Sequence, residues 1–135
     1  MTTFADTSAL YAVLDGDDEF HAQASKAWAT LLAEGTTLVT TTYVLVETFA
    51  LVQSRLGMEA VRALSDHLLP AIRMVAATEE DHRGAVQALL AADRRDLSLV
   101  DCSSFLVMRR LGLRSAFTFD ADFGNQGFMM VPEGQ

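Results

Sequence analysis

The sequence has few of the residues that would place it in several protein classes. It has one cysteine, Cys102, among 135 residues, so it can form neither an internal disulfide nor a cysteine-based zinc site. The longest apolar stretch, Tyr43 to Val52, contains Glu47 and is too short and too charged to span a bilayer. The first residues lack the basic and apolar segments of a secretory signal peptide. These absences predict a cytoplasmic protein that makes no membrane contact.

Positive charge is scarce as well. Eighteen Asp and Glu residues outnumber ten Lys and Arg residues, the formal net charge is −8, and Lys26 is the sole lysine. Such a chain repels nucleic acid unless a local basic patch or bound cations compensate. Half of the basic residues are arginines that lie close together in the sequence, and they either end helices in solvent or form a patch that guides phosphate groups. These arginines are Arg94, Arg95, Arg109, Arg110 and Arg114.

The chain is long enough for one domain, residues 1–135, and half of its residues are apolar. No linker, repeat or low-complexity segment divides it. Helical patterns alternate with short strands, which are predicted at 2–6, 37–41, 72–76, 116–119 and 128–131. The alternation predicts an α/β fold, with a mainly parallel sheet of four to five strands covered by helices on both faces.

Two carboxylates stand out in the first half of the chain. Asp6 follows the first predicted strand, where it either caps the next helix or contributes to a site at the sheet edge. Glu47 lies in a helix that is apolar nearly all round and is therefore expected to be buried. A buried carboxylate is costly without a positive partner, so Glu47 either pairs with an arginine, extends its carboxylate to water or lies near a bound cation. Because that helix begins where the second strand ends, Glu47 is expected to reach the edge where Asp6 lies.

Further carboxylates are predicted at the same edge. Asp101 lies in the first turn of a helix capped by Ser98, while Asp120 and Asp122 follow the fourth strand in a predicted polar turn. The helix after Asp101 descends about as far as the strand before Asp120 climbs back. Carboxylates gathered in this way repel one another unless a cation neutralises them. Oxygen donors without a set of His or Cys ligands indicate Mg²⁺, with Mn²⁺ as the alternative.

The segments around these acids resemble the motifs of a known family. FADTSAL, which contains Asp6, resembles the first motif of PIN-domain ribonucleases, and Glu47 in an apolar third helix resembles the second. LSLVDC, which contains Asp101, resembles the third motif, and FTFDADF, which contains Asp120, resembles the fourth. The likeness extends over nearly the whole chain. In length and in overall sequence, the chain most resembles the VapC toxins of bacterial and archaeal toxin–antitoxin pairs.

The resemblance implies a three-layer α/β/α sandwich and a Mg²⁺-dependent endoribonuclease. Its implied catalytic residues are four acids: Asp6, Glu47, Asp101 and Asp120. Asp6 and Asp101 would be the principal metal ligands, and Glu47 would bind directly or through water. Asp122 would be an additional ligand or the alternative to Asp120. Whether one ion or two ions bind stays open.

The resemblance also implies what surrounds these acids. The hydroxyls of Thr7 and Thr118 would support the carboxylates, and the substrate would be RNA. Attack by water would leave a 5′-phosphate and a 3′-hydroxyl. A cognate antitoxin would insert a basic side chain among the acids and compete with Mg²⁺. Leu10, Tyr11 and Leu14 either anchor it or pack in the core. A homodimer is expected.

Two other functions stay open at this point. The chain could be a catalytically silent module that binds RNA or protein, although Glu47 in an apolar helix argues against this interpretation. It could instead accept a phosphoryl group, as response-regulator receiver domains do. That chemistry requires a lysine near the acids, whereas Lys26 is predicted in the middle of a helix.

Overall fold

The computed structural model of the protein describes residues 1–134. The strands are β1 (Thr2–Ala5), β2 (Thr37–Thr41), β3 (Ile72–Val75), β4 (Ser115–Phe117) and β5 (Met129–Val131). The α-helices are α1 (Thr7–Leu14), α2 (His21–Ala33), α3 (Thr42–Leu56), α4 (Met58–Ala63), α5 (Glu79–Ala92), α6 (Leu99–Leu111) and α7 (Ala121–Asn125). Within residues 1–134, no helix is both long and apolar enough to cross a membrane.

The strands form one five-stranded sheet in the order β3-β2-β1-β4-β5. Every pairing is parallel, and Phe4 of β1 lies between Val39 of β2 and Ala116 of β4. The chain builds outward from β1 to β3 and then returns to β4 on the other side of β1. The strand order therefore reverses between β1 and β4, which is where parallel sheets form ligand sites beyond the carboxyl ends of their strands.

Helices cover both faces of the sheet, which confirms the predicted three-layer α/β/α sandwich. Adjacent strand residues alternate between two sets of core contacts. Phe4 packs in a cluster that includes residues of α5, α6 and α7, whereas Ala5 packs against α1 and the segment after α4. Helix α3 contributes to both clusters, through Val44 near its start and Val52 near its end.

Three local features differ from the sequence prediction. The helix expected from Met58 to Leu69 ends at Ala63 and continues as a π-helical turn (Leu64–Leu68) and a 3-10 turn (Leu69–Ala71). The polar turn expected after the fourth strand is instead the short helix α7. Helix α3 is not buried all round, because Val46 is 70% exposed.

An ion pair joins the start of α5 to the end of α6. The guanidinium of Arg110 donates to both carboxylate oxygens of Asp81, at 2.8–3.1 Å. Burial alone would raise the pKa of Asp81, but hydrogen bonds from Thr78 and Arg110 hold that pKa below its usual value. The pair places the end of α5 beside the start of α6, at the edge of the sheet where β1 and β4 end.

Candidate active site

Asp6 lies directly beyond β1 and is almost fully buried, with 3% of its surface exposed. Its Oδ2 accepts hydrogen bonds from the hydroxyls of Ser8 and Thr118, at 2.8 and 2.9 Å. The Ser8 hydroxyl in turn accepts a hydrogen bond from the backbone N–H of Phe119 at 2.9 Å. These contacts join the ends of β1 and β4 and hold the Asp6 carboxylate in one orientation.

Three other carboxylates converge beside it. One oxygen each from Asp101, Asp120 and Asp122 lies within 4.8 Å of the others. Asp101 is held by the backbone N–H of Ser98 in a capping box, and Asp120 accepts a hydrogen bond from the backbone N–H of Asp122. Asp101 therefore caps its helix, which was the structural alternative for this residue, and also belongs to the acidic cluster. The same holds for Asp6, which caps α1.

The carboxylates act on one another electrostatically. Burial raises the pKa of Asp6 to about 7 against the hydrogen bonds from Ser8 and Thr118, and the charges of Asp101 and Asp120 raise it further. Partial burial raises the pKa of Asp101 to about 6, and the charge of Asp120 contributes to this increase. Without a cation, the folded protein therefore holds protons that these groups would release in water.

Glu47 lies on α3 beside the same cluster, where it is half-buried. Its charge contributes to the raised pKa of Asp101, which places its carboxylate within electrostatic reach of that residue. Within residues 1–134, no arginine or lysine forms an ion pair with Glu47. The arginine partner considered as the alternative for this residue is therefore absent from the described chain, and the other carboxylates are its neighbours.

The donor set fits a hard divalent cation. Its oxygens belong to carboxylates, and the group that brings three of them within 4.8 Å contains no histidine or cysteine. Ligands of this kind suit Mg²⁺ or Mn²⁺ rather than a softer metal. A cation would also offset the burial and the repulsion that together favour the protonated forms of Asp6 and Asp101. Asp101, Asp120 and Asp122 are placed to hold such an ion together.

The predicted supporting hydroxyls have different positions. Thr118 donates to Asp6, whereas the Thr7 hydroxyl donates to the carbonyl of Val44 and accepts from Thr48. Thr7 therefore joins α1 to α3 and makes no hydrogen bond to a described carboxylate. Ser8 makes the contact that Thr7 was expected to make. Its place in the segment DTS, two residues after Asp6, is the signal that could have indicated this, since serine at that spacing bonds back to an N-cap aspartate.

The structure separates the five arginines into two groups. Arg94 and Arg95 follow α5 at the edge of the sheet where the acids lie, and Arg94 donates to Asp122 at 3.3 Å and to Asp96 at 3.1 Å. Arg109 and Arg110 lie at the far end of α6, about 12 to 14 Å from Asp101 along the helix. Arg114 lies beyond that end. The predicted patch is therefore divided in the structure, because α6 places Arg109 and Arg110 at its other end.

Arg109 and Arg110, at the far end of α6, already have partners within the protein. Arg109 donates to the side chain of Gln126 at 2.7 Å and lies over the ring of Phe128, and Arg110 is bound to Asp81. Of the predicted RNA-guiding residues, Arg94 and Arg95 are thus the two that remain beside the carboxylates.

The chain belongs to the PIN domain family, which matches residues 3–128. Members of this family are metal-dependent nucleases, in agreement with the carboxylate cluster. A curated relative named 23S rRNA-specific endonuclease VapC20, from Mycobacterium tuberculosis strain H37Rv, is 35% identical over 129 residues, which cover 95% of this chain and 96% of the relative.

Solved structures show the same fold. The crystal structure of Mycobacterium tuberculosis VapC20, described as a sarcin-ricin loop cleaving toxin, aligns with a TM-score of 0.83 at 32% identity and covers 96% of this chain and 97% of that chain. VapBC2 from Rickettsia felis, bound to a DNA fragment from its promoter, aligns with a TM-score of 0.71 at 12% identity, with coverage of 96% and 97%. At 12% identity the second structure is a likeness of fold.

Asp6→Asn should stabilise the metal-free protein above neutral pH. Between about pH 4 and pH 7 the folded state keeps a proton on Asp6 that the unfolded chain has lost, so stability falls as pH rises through this range. Asparagine removes the charge and keeps an acceptor for Ser8 and Thr118. We expect a gain on the order of 2 to 4 kcal/mol at pH 8 and little change at pH 4. Urea unfolding in EDTA measures this, with the exposed residue Asp17, changed to Asn, as control. Equal pH dependence in wild type and Asp6→Asn would contradict it.

Mg²⁺ should stabilise the protein more at pH 8 than at pH 6. Protons on Asp6 and Asp101 must leave before these carboxylates can bind a cation, so proton and metal compete. At a Mg²⁺ concentration 100 times Kd, the stabilisation is about 2.7 kcal/mol. Thermal unfolding with and without Mg²⁺ measures it. Asp101→Asn should lose most of the effect, and the exposed control Asp66→Asn should keep it. A Mg²⁺ effect that survives in Asp101→Asn would place the ion elsewhere.

Proposed function

We propose that this protein is a metal-dependent endoribonuclease and the toxin of a toxin–antitoxin pair. The observation that carries the proposal is the convergence of Asp101, Asp120 and Asp122 within 4.8 Å, beside the buried Asp6, where the strand order reverses. Membership in the PIN domain family and 35% identity to a ribosomal RNA endonuclease support the same activity.

The residues of this chain would divide the work as follows. Asp101, Asp120 and Asp122 would hold a divalent cation, with Glu47 and Asp6 at its sides. When bound there, the cation supplies Lewis acidity at the phosphate and lowers the pKa of a water molecule. The hydroxyls of Ser8 and Thr118 keep the Asp6 oxygen in position. A carboxylate with a pKa near neutrality, such as Asp6, is suited to accept a proton during hydrolysis.

Ribosomal RNA is the substrate to test first. The relative that is 35% identical over 95% of this chain is named as specific for 23S rRNA. Arg94 offers positive charge at the same edge, although it is paired with Asp96 and Asp122. An entering phosphate would compete with these carboxylates for its guanidinium, since arginine binds phosphate as it binds carboxylate. We propose that Arg94 and Arg95, rather than Arg109, Arg110 and Arg114, guide the RNA backbone.

The structure argues against a phosphoryl-accepting receiver domain. Receiver domains have the strand order 2-1-3-4-5, whereas this sheet has the order 3-2-1-4-5. Lys26 lines a cavity of about 490 Å³ at the amino ends of the strands, together with Thr3 and Ser115. The essential lysine of receiver chemistry would have to lie at the opposite edge, near the acids.

RNA cleavage tests the proposed activity. The purified protein should cleave 23S rRNA in Mg²⁺, leave 5′-phosphates and stop in EDTA. Asp101→Asn should lose at least about 100-fold in rate, because even groups that only support metal ligands cost 10- to 100-fold. Mapping of RNA 5′ ends measures both rate and position, and Asp66→Asn is the matched control. Cleavage by folded Asp101→Asn at the wild-type rate would refute the assignment. Absence of cleavage with retained RNA binding would favour the silent binding module.

We also propose two protein partners, a cognate antitoxin and a second copy of the chain. The acid cluster is negative without metal and complements an arginine, whose fork binds carboxylates in pairs. The predicted anchors Leu10 and Tyr11 are buried, at 0% and 8% exposure, so they belong to the core. Exposed apolar surface lies instead at Met74 on β3, which is 60% exposed. That surface suits a homodimer contact.

An antitoxin that inserts arginine among the acids should compete with Mg²⁺. We expect co-purification with the product of the neighbouring reading frame, and a lower apparent Mg²⁺ affinity in the complex. Asp101→Asn should weaken the complex, since it removes one partner of a charge-assisted hydrogen bond. Isothermal titration with Mg²⁺ measures the metal affinity, and isothermal titration with the antitoxin measures the strength of the complex. Unchanged Mg²⁺ affinity in a tight complex would show that inhibition does not occur at the carboxylates.

A further inference from the structure

An open groove of about 560 Å³ lies beside the acid cluster and is lined by the first turns of α3 and α6 and by His82 of α5. We name it the Tyr43 groove. Its lining residues include Tyr43, Val46, Glu47, His82, Leu99 and Val100. Apolar side chains form most of its surface, and Val46 alone is 70% exposed. Exposed apolar surface of this kind in a concave site indicates a binding partner.

The groove is continuous with the candidate active site on two elements. On α3, Glu47 follows Val46 directly, and on α6, Asp101 follows Val100 directly. Glu47 therefore belongs to both the groove and the carboxylate cluster. A polynucleotide whose phosphate lies at the carboxylates would bring an adjoining nucleotide into this groove.

The chemistry of the lining suits a nucleobase better than a phosphate. No arginine or lysine is among the lining residues, and Glu47 would repel an anion. A neutral, flat base has two apolar faces and a polar edge. Val46, Leu99 and Val100 offer apolar contact for the faces, and single-stranded RNA is commonly recognised through such contacts together with hydrogen bonds to base edges.

Tyr43 and His82 supply the polar part of the groove. The Tyr43 hydroxyl lies 2.5 Å from Nδ1 of His82, and the two rings are nearly perpendicular, at 88°. This contact orients the imidazole and assigns its Nδ1 to the tyrosine. The other ring nitrogen of His82, Nε2, can form one hydrogen bond, and it has no protein partner within the described chain.

We propose that the Tyr43 groove is a base-binding subsite, which receives the nucleobase next to the cleaved phosphodiester of a single-stranded RNA segment. Apolar contact with Val46 and Leu99 would hold the face of the base, and the His82 imidazole, positioned by Tyr43, would contact its edge. This inference rests on the proposed ribonuclease function and extends it to substrate selection. A protein segment could also contact apolar surface, and the experiments below distinguish that occupant.

The first experiment removes single bases from the RNA and, separately, changes residues that line the groove. The RNA segment located by 5′-end mapping is synthesised with an abasic nucleotide at each position around the cleaved bond. For wild type, one abasic position beside the bond should lower kcat/KM by roughly 5- to 100-fold, mainly through KM. Val46→Ser and His82→Ala should lose a comparable factor on intact RNA and become insensitive to that abasic position. Leu90→Ser and His67→Ala, which change exposed residues outside the groove, should behave as wild type.

Equal abasic penalties in wild type, Val46→Ser and His82→Ala would overturn the inference. Normal cleavage by Val46→Ser with a changed oligomeric state, measured by sedimentation, would also overturn it and assign the groove to a second copy. Normal cleavage with weakened antitoxin binding would assign it to the antitoxin instead. If wild type cleaves no RNA, the proposed function fails first, and a binding measurement then decides about the groove.

The binding measurement is photo-crosslinking, which does not depend on cleavage. RNA that carries 4-thiouridine beside the expected cleavage position is irradiated with the folded Asp101→Asn variant. Crosslinks should map to residues 42–47 of α3 or to Leu99 and Val100, and they should decrease in Val46→Ser but not in Leu90→Ser. Crosslinks confined to other surfaces, or an RNA that does not bind, would refute a base-binding role for the groove.

Discussion

Burial of neighbouring carboxylates at the carboxyl edge of β1 and β4 is the constraint on which the rest of the structure depends. Burial raises the pKa of Asp6 to about 7 and that of Asp101 to about 6, and the charges of the neighbouring acids add to both increases. Without a cation this arrangement lowers the free energy of unfolding, so other interactions in the fold must offset that loss. The parallel register of β1 with β4, the hydroxyls of Ser8 and Thr118, and the core on both faces of the sheet are what hold the acids together.

The acids are also the residues that begin the helices around the site. Asp6 caps α1, and Asp101 completes the capping box at the start of α6. The partial positive charge at a helix N-terminus favours a carboxylate there and offsets part of the repulsion. Structural and functional explanations for these residues are therefore compatible, because one carboxylate has oxygens enough for both. The first turn of α6 also forms part of the adjacent Tyr43 groove, together with the first turn of α3.

Much of the fold and of the candidate site follows from local pattern. Strand and helix alternation indicated the parallel sheet. Asp6 and Asp120 were indicated by their places after strands, Glu47 by its place in an apolar helix, and Asp101 by its place in the first turn of a capped helix. Other features were missed because they depend on distant contacts. Thr7, the more apparent candidate, is bonded to α3, and the Ser8 hydroxyl instead lies beside both Asp6 and Thr118, which follows β4. The exposure of Val46 arises because no described element covers that side of α3.

The sequence by itself determined the class of fold, the order of its elements and the identity of the acids, since hydrophobic periodicity and helix caps act over a few residues. Tertiary structure decided which charges meet. Five arginines close in sequence became two groups, because α6 spans the sheet and carries Arg109 and Arg110 to its far end. Asp122 came to lie with Asp101 and Asp120, although α7 was expected to be a turn. Proximity between residues far apart in the chain is set by the packing of whole helices and strands, and no local pattern of residues encodes it.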